Sequence, residues 1–292
     1  MEKFLFVMNR RRINSSATPA VRLATWLLLA LNVSLAGCTS WQTQVSQFGL
    51  QDQLVQGVAF RHRILTNVAG QQTKLQGEPV RWHVYIEGDG QPVKFGGRPS
   101  RDPTPRSPLL LPVMAQDPQP ALYLGRPCYF DTADPACHWM RWTLERYSEA
   151  TVASLTMALQ QQIGPRDELV LIGHSGGGAL AVLLAPRLPQ TRAVITLAGN
   201  LDLGSWIQAN DYSPLPACLD PMQQPPLPAS IRQWHIAGTR DTVIKTEWIQ
   251  AFAARQPQAE VIVRKEADHF TPWAEWLPGW LRALNAAPAT SR

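Results

Sequence analysis

Between residues 168 and 188 the chain passes from an apolar stretch, Glu168-Leu-Val-Leu-Ile172, through Gly173-His-Ser-Gly-Gly177, into an apolar helical pattern that reaches Leu188. The first stretch has no polar face, so it fits a strand in the middle of a sheet that is covered on both sides. The helix that follows must fold back over that sheet. Ser175, between them, has to occupy a sharp, strained turn that leaves its hydroxyl projecting freely. A Cβ at Gly173 or Gly177 would strike neighbouring backbone. The helix starting at Gly176 aims its first amides and positive dipole end at any negative charge that develops nearby. A serine on such an elbow is placed to act as a nucleophile.

The rest of the chain repeats the alternation. Apolar segments at Val58–Ile64, Val80–Ile86, Ala121–Leu124, Ala193–Leu197, Ile231–Ile236 and Glu260–Val263 have the length and composition of strands. Val152, Leu155, Leu159 and Ile163 recur at helical spacing before Gly164-Pro165, and further helices are expected at Ile244–Ala254 and Trp273–Leu284. The pattern predicts an α/β fold: a mostly parallel sheet of about seven or eight strands with helices on both faces. Gln91–Pro120 and Leu203–Ser230 are rich in proline and read as irregular insertions, the kind of segment that shapes clefts. Trp273, Trp276 and Trp280, at spacings of three and four, read as a core-facing stripe.

A serine hydroxyl is a weak nucleophile and needs a base, which needs an acid to orient it. After the strand ending at Ile236 comes Ala237-Gly-Thr-Arg-Asp241, and after the strand ending at Val263 comes Arg264-Lys-Glu-Ala-Asp-His269. The order Ser175, Asp241, His269 resembles that of the α/β-hydrolase superfamily. No histidine other than His269 follows Asp241. Asp241 also reads as a turn-forming aspartate, and Asp202 in Ala198-Gly-Asn-Leu-Asp202 is a rival acid. Asp268, adjacent to the base, is badly placed to hold its ring. His62, His83, His138 and His235 read as structural or solvated, and His174 as a residue that positions the elbow. The resemblance implies an oxyanion hole made by the amide of Gly176 and one from Glu87-Gly-Asp-Gly90, that of Asp89 first and Gly88 as the alternative. Glu87 stands where the common pattern has histidine. The Asp89 carboxylate is expected to point away from the site, because a negative charge there would oppose an oxyanion.

The amino terminus has a separate role. Lys3, Arg10, Arg11, Arg12 and Arg22 precede an apolar run from Leu23 to Ala36, and Leu35-Ala-Gly-Cys38 ends it. This order resembles the leader of bacterial lipoproteins, which implies cleavage after residue 37 and acylation of the Cys38 thiol. Thr39 resembles the sorting position of lipoproteins sent to the outer membrane. The expected organisation is a signal peptide over 1–37, a polar tether over 38–55 and one α/β-hydrolase domain over 56–292. The chain carries a formal net charge of +5, with 27 basic and 22 acidic side chains. Residues 1–37 hold five of the basic groups and one acid, so the remainder is close to neutral and its charge gives no argument for a nucleic-acid partner. In an oxidising envelope Cys128 and Cys137 are expected to form a disulfide, with Cys218 left over. No cysteine–histidine spacing resembles a metal site, and no cofactor is expected.

More closely, Tyr85-Ile-Glu-Gly-Asp-Gly90, Asp102-Pro-Thr-Pro-Arg106, Leu122-Tyr-Leu-Gly-Arg-Pro-Cys128, Arg146-Tyr-Ser148, Gly173-His-Ser-Gly-Gly-Gly-Ala179 and Ala198-Gly-Asn-Leu-Asp202 resemble a group of bacterial α/β-hydrolases. The resemblance supports the fold and the triad and says little about what is cleaved; the expected protein is a lipid-anchored serine hydrolase in the cell envelope acting on a small acyl or ester substrate. An envelope peptidase or amidase, and a non-catalytic binding lipoprotein on the same fold, are the alternatives. Arg98, Arg106 and Arg126 lie in loops near the expected cleft and read as solvated rather than substrate-binding.

Overall fold

The computed structural model describes residues 41–74, 78–130 and 132–286; the expected signal peptide and Cys38 lie outside them. In chain order the elements are α1 (Trp41–Gln47), β1 (Gln51–Gln56), β2 (Arg61–Thr66), α2 (Val68–Lys74), β3 (Arg81–Ile86), α3 (Leu111–Ala115) and β4 (Ala121–Leu124). There follow α4 (Glu149–Gln160), β5 (Glu168–His174), α5 (Gly176–Leu184), β6 (Thr191–Leu197) and α6 (Leu203–Asn210). The last are β7 (Arg232–Gly238), α7 (Thr246–Ala253), β8 (Ala259–Arg264) and α8 (Trp273–Ala286).

The eight strands form one sheet in the order β1-β2-β4-β3-β5-β6-β7-β8. β1 pairs antiparallel with β2 and β2 antiparallel with β4, and every other pairing is parallel. Successive strand residues point to opposite faces, and two apolar clusters result. Trp82, Val84, Leu169, Leu171 and Val194 pack under α4, α5 and α7 through Val152, Leu155, Leu180, Ile249 and Phe252. Tyr85, Val170, Ile172, Ala193 and Ile195 face the other way, onto Leu111 and Met114 of α3 and Trp273, Leu277 and Leu281 of α8. Trp276 and Trp280 pack against this second cluster, so the tryptophan stripe faces the core as expected. Both clusters are built within the compact unit Ser40–Arg292, which therefore carries its own core.

Two expectations need correction. The tether predicted over 38–55 is ordered structure from Trp41 onward. α1 lays Trp41 and Val45 on the second cluster, Phe48 follows in the turn after it, and β1 pairs with β2 over six residues. β1 is an edge strand in which only Val55 is buried, so its glutamines tolerate the position and disguise it as linker. The strand predicted at Val58–Ile64 begins at Arg61, because Gly57 accepts the hairpin turn, its amide donating to the Phe60 carbonyl at 2.8 Å. In the insertions, Leu111–Ala115 and Leu203–Asn210 are helical.

β3 and β5 are neighbours, with Ile86 opposite Gly173, yet the chain leaves them toward opposite sides of the sheet. β4 lies beyond β3, and β6 beyond β5. Connections that diverge in this way leave a crevice at the carboxyl ends of the two strands.

Candidate active site

Ser175 sits at that switch point, between β5 and α5, with φ 52° and ψ −119°. Such a backbone is strained for a residue with a side chain and holds the hydroxyl clear of both elements. The two glycines are required by close approach. A Cβ on Gly177 would meet the carbonyl oxygen of Ile86, and one on Gly173 the carbonyl of Gly177. α5 can therefore lie tight against β3 and β5. Ser175 is part-exposed while its flanking residues are buried.

The loops after β7 and β8 bring the other two predicted residues to this point. His269 Nε2 lies 3.0 Å from Ser175 Oγ, and its Nδ1 lies 2.9 Å from Asp241 Oδ2. Asp241 uses its other oxygen to accept the amides of Val243 and Ile244, each at 2.8 Å. One oxygen thus braces the turn of Asp241 itself and the other lies against the His269 ring. The rivals are engaged elsewhere. Asp202 caps α6 through the amide and hydroxyl of Ser205, and Asp268 accepts the amides of Phe270 and Thr271.

His174 fixes the base through its backbone. Its Nε2 lies 2.7 Å from the carbonyl oxygen of His269, which also accepts Trp273 Nε1 at 3.1 Å. Burial lowers the His174 pKa to about 4, so it is neutral and donates one ring N–H. Of the remaining histidines, His138 is exposed and the buried three are structural. His62 meets Ser154 and Gly125, His83 meets Asp117, and His235 meets Thr196.

The loop after β3 reaches the serine from the other side, and a Cβ on Gly88 would touch Ser175 Cβ and the His174 ring. Gly176 heads α5, and among the described residues neither its amide nor that of Asp89 has an internal acceptor. The Asp89 side chain lies beside Gly176, where a Cβ would meet its Oδ1. Its charge is compensated. Arg126 Nη1 donates to Oδ1 at 2.5 Å, Arg146 Nη1 to Oδ2 at 2.8 Å, and the Tyr147 hydroxyl lies 2.7 and 2.8 Å from the two oxygens. Burial works against this carboxylate, but the two guanidiniums outweigh it and hold its pKa well below the usual range. The Tyr129 hydroxyl donates to the Asp89 carbonyl at 2.8 Å, so backbone and side chain of this residue are both clamped.

Arg126 is thus a buried ion-pair partner rather than a solvated residue, whereas Arg98 and Arg106 are exposed. Arg146, Tyr147 and Tyr129 were not singled out from sequence as site residues. Their signal lay in Arg146-Tyr-Ser148 and in the Arg-Pro-Cys-Tyr run. Glu87 turns its carboxylate to the Leu110 amide at 2.9 Å and the Tyr123 hydroxyl at 3.2 Å, and burial pushes its pKa up. Cys128 and Cys137 are joined in a disulfide with a Cα–Cα distance of 5.4 Å, next to Tyr129. Cys218 is a free, half-buried thiol whose Sγ lies 3.2 Å from the Leu144 carbonyl, and burial raises its pKa. Among the described residues no group of three or more His, Cys, Asp or Glu side chains is placed to hold a metal, and no helix is long and apolar enough to cross a membrane.

In chemical terms, a carboxylate, an imidazole and an alcohol stand in one hydrogen-bonded series, with two free amides beside the alcohol. The series can take the proton from Ser175 Oγ as a bond forms there, and the amides can receive an oxyanion.

No family model matches the chain, and no curated protein does. Solved structures match it in fold. The mouse alpha/beta hydrolase domain-containing protein 10 aligns with 14% identity and TM-score 0.53 over 80% of this chain and 98% of its own. A Pyrococcus furiosus esterase aligns with 11% identity and TM-score 0.52 over 82% and 92%. An alpha-beta serine hydrolase homologue from Coxiella burnetii aligns with 12% identity and TM-score 0.52 over 81% and 97%. The eight-stranded, mostly parallel sheet, its helices on both faces and these neighbours establish that the chain has the α/β-hydrolase fold.

Proposed function

We propose that this protein is a serine hydrolase that cleaves an acyl ester through a covalent acyl-enzyme. The observation that carries the reading is the unbroken series Asp241–His269–Ser175 at the carboxyl edge of the sheet. Ser175 Oγ attacks the substrate carbonyl carbon while His269 Nε2 takes the hydroxyl proton. The carbonyl oxygen becomes an oxyanion held by the amides of Gly176 and Asp89, each worth about 3 kcal/mol in comparable sites. As the tetrahedral intermediate collapses, the bond to the leaving alcohol breaks, and His269 returns the proton to that alcohol. Water, deprotonated by the same ring, then attacks the acyl carbon and releases the acid and Ser175. Asp241 holds the Nδ1–H tautomer and stabilises the imidazolium. The ring must be neutral at Nε2 to take the hydroxyl proton.

The chain is anchored through a lipid on Cys38, on the periplasmic face of a bacterial outer membrane. The support is the basic, apolar and Leu-Ala-Gly-Cys order of the leader.

A panel of p-nitrophenyl esters of increasing acyl length, run beside aminoacyl anilides, tests the activity. Ester turnover is expected, falling to background in Ser175→Ala. Faster cleavage of the anilides would assign an amidase. Turnover of neither, with the fold intact, would leave a binding protein on this fold.

A further inference from the structure

Directly after the Asp89 loop the chain makes an excursion that nothing in the triad uses. Val93 pairs with Pro99 in an antiparallel bridge, the Lys94 amide donates to the Arg98 carbonyl at 2.7 Å, and the Gly97 amide returns to the Lys94 carbonyl at 3.0 Å. Gly96 and Gly97 turn the tip with φ of 82° and 75°. A Cβ on either would meet nothing within 4 Å, so the tip stands clear of the body. Phe95, on this tip, is exposed to 105% of its reference area, and Val93 is also exposed. A projecting turn that displays Phe95 and Val93 together to water needs a physical reason, since burying the pair is favourable anywhere apolar.

The charges around it suggest the reason. Lys94, Arg98, Arg101 and Arg106 are exposed, and none forms an ion pair among the described residues. The one acid in the segment, Asp102, is occupied in accepting the Thr104 amide at 2.9 Å. An apolar tip ringed by cations matches an anionic bilayer, where the ring enters the headgroup boundary and the cations meet lipid phosphates.

The foot of the hairpin supplies a second, independent observation. Thr104 Oγ1 accepts the Phe130 amide at 2.6 Å, and the Phe130 ring meets Trp41 edge to face at 5.7 Å. Trp41, the first described residue of the folded body, therefore lies beside the hairpin base. Phe270, next to the base and 63% exposed, belongs to the carboxyl edge as well.

We propose that the hairpin 91–101 docks on an anionic lipid bilayer, with Phe95 inserted, so that the crevice at the ends of β3 and β5 faces the membrane. This docking does not depend on whether Ser175 is a nucleophile.

Vesicle flotation of the chain from Ser40 to Arg292 tests it, with phosphatidylcholine vesicles alone and with about a third of phosphatidylglycerol added. Binding to the anionic vesicles only is expected, lost as salt is raised from about 0.05 to about 0.5 M. Phe95→Ser should weaken binding about tenfold, and Lys94→Glu with Arg98→Glu by more than about twentyfold. Both variants should keep the parent's melting temperature and its rate on a water-soluble p-nitrophenyl ester, and Ser175→Ala should bind as the parent does. Absence of parent binding, or unchanged binding by the variants, would overturn the proposal. So would a dimer that Phe95→Ser converts to monomer without affecting vesicles, which would assign the tip to a second copy of the chain.

Discussion

His269 Nε2 stands 3.0 Å from Ser175 Oγ although 94 positions separate the two residues. The approach is secured twice, by Asp241 at the ring and by His174 and Trp273 at the His269 carbonyl. His174 is the residue just before Ser175. The elbow thus holds both the alcohol and the backbone of its base, which keeps their separation insensitive to movement of either loop.

Asp241→Asn preserves the oxygen that accepts Val243 and Ile244 but no longer selects the Nδ1–H tautomer. The expected loss in kcat is on the order of 10³–10⁴-fold with little change in melting temperature. Steady-state kinetics beside a thermal melt separate the two effects. A loss under tenfold would remove Asp241 from the proton relay.

Arg126→Gln leaves the Asp89 carboxylate buried beside Gly176 with one guanidinium fewer. Breaking a buried pair in this way costs about 3–5 kcal/mol. At a temperature where the variant remains folded, kcat should fall while KM changes little, because uncompensated negative charge opposes the oxyanion more than the ground state. An equal effect on stability with unchanged kcat would restrict the clamp to folding.

Gly177→Ala places a methyl against the Ile86 carbonyl, which is backbone in the sheet centre and cannot move aside. Destabilisation of about 3 kcal/mol or more is expected from a urea melt. Gly96→Ala offers the contrast: no space is lost, and only the cost of positive φ applies, about 1 kcal/mol.

Acid should unfold the protein through its buried histidines. Desolvation lowers His62 and His174 to about 4 and His235 to about 3, from an ordinary value of 6.5 in the unfolded chain. Above 6.5 neither state binds the extra proton and stability is complete. As pH falls from 6.5 toward 4, the unfolded chain takes up protons that the folded one refuses. Each histidine then removes up to about 1.4 kcal/mol per pH unit. The urea midpoint should drop steeply between pH 6.5 and pH 5, and a flat profile there would contradict the burial of these rings.

The central strands, the elbow and the order of Ser175, Asp241 and His269 were legible because each rests on a local pattern. β5 is apolar throughout, and the glycines around Ser175 answer to contacts within a few residues. β1 was hidden because an edge strand with a single buried side chain, Val55, carries the composition of a linker. The Asp89 clamp was hidden for another reason. Arg126 and Arg146 lie 37 and 57 positions from their shared carboxylate, and arginines in loops are ordinarily solvated. The sheet order, with β4 beside β3, brings Arg126 to Asp89.

The most direct measurement is the intact mass of the protein after treatment with a fluorophosphonate, with peptide mapping of the adduct. A single phosphonyl adduct on Ser175 is expected, absent in Ser175→Ala and slowed by orders of magnitude in His269→Ala. A folded protein that stays unmodified, or one whose adduct survives in Ser175→Ala, would contradict the assignment of Ser175 as nucleophile.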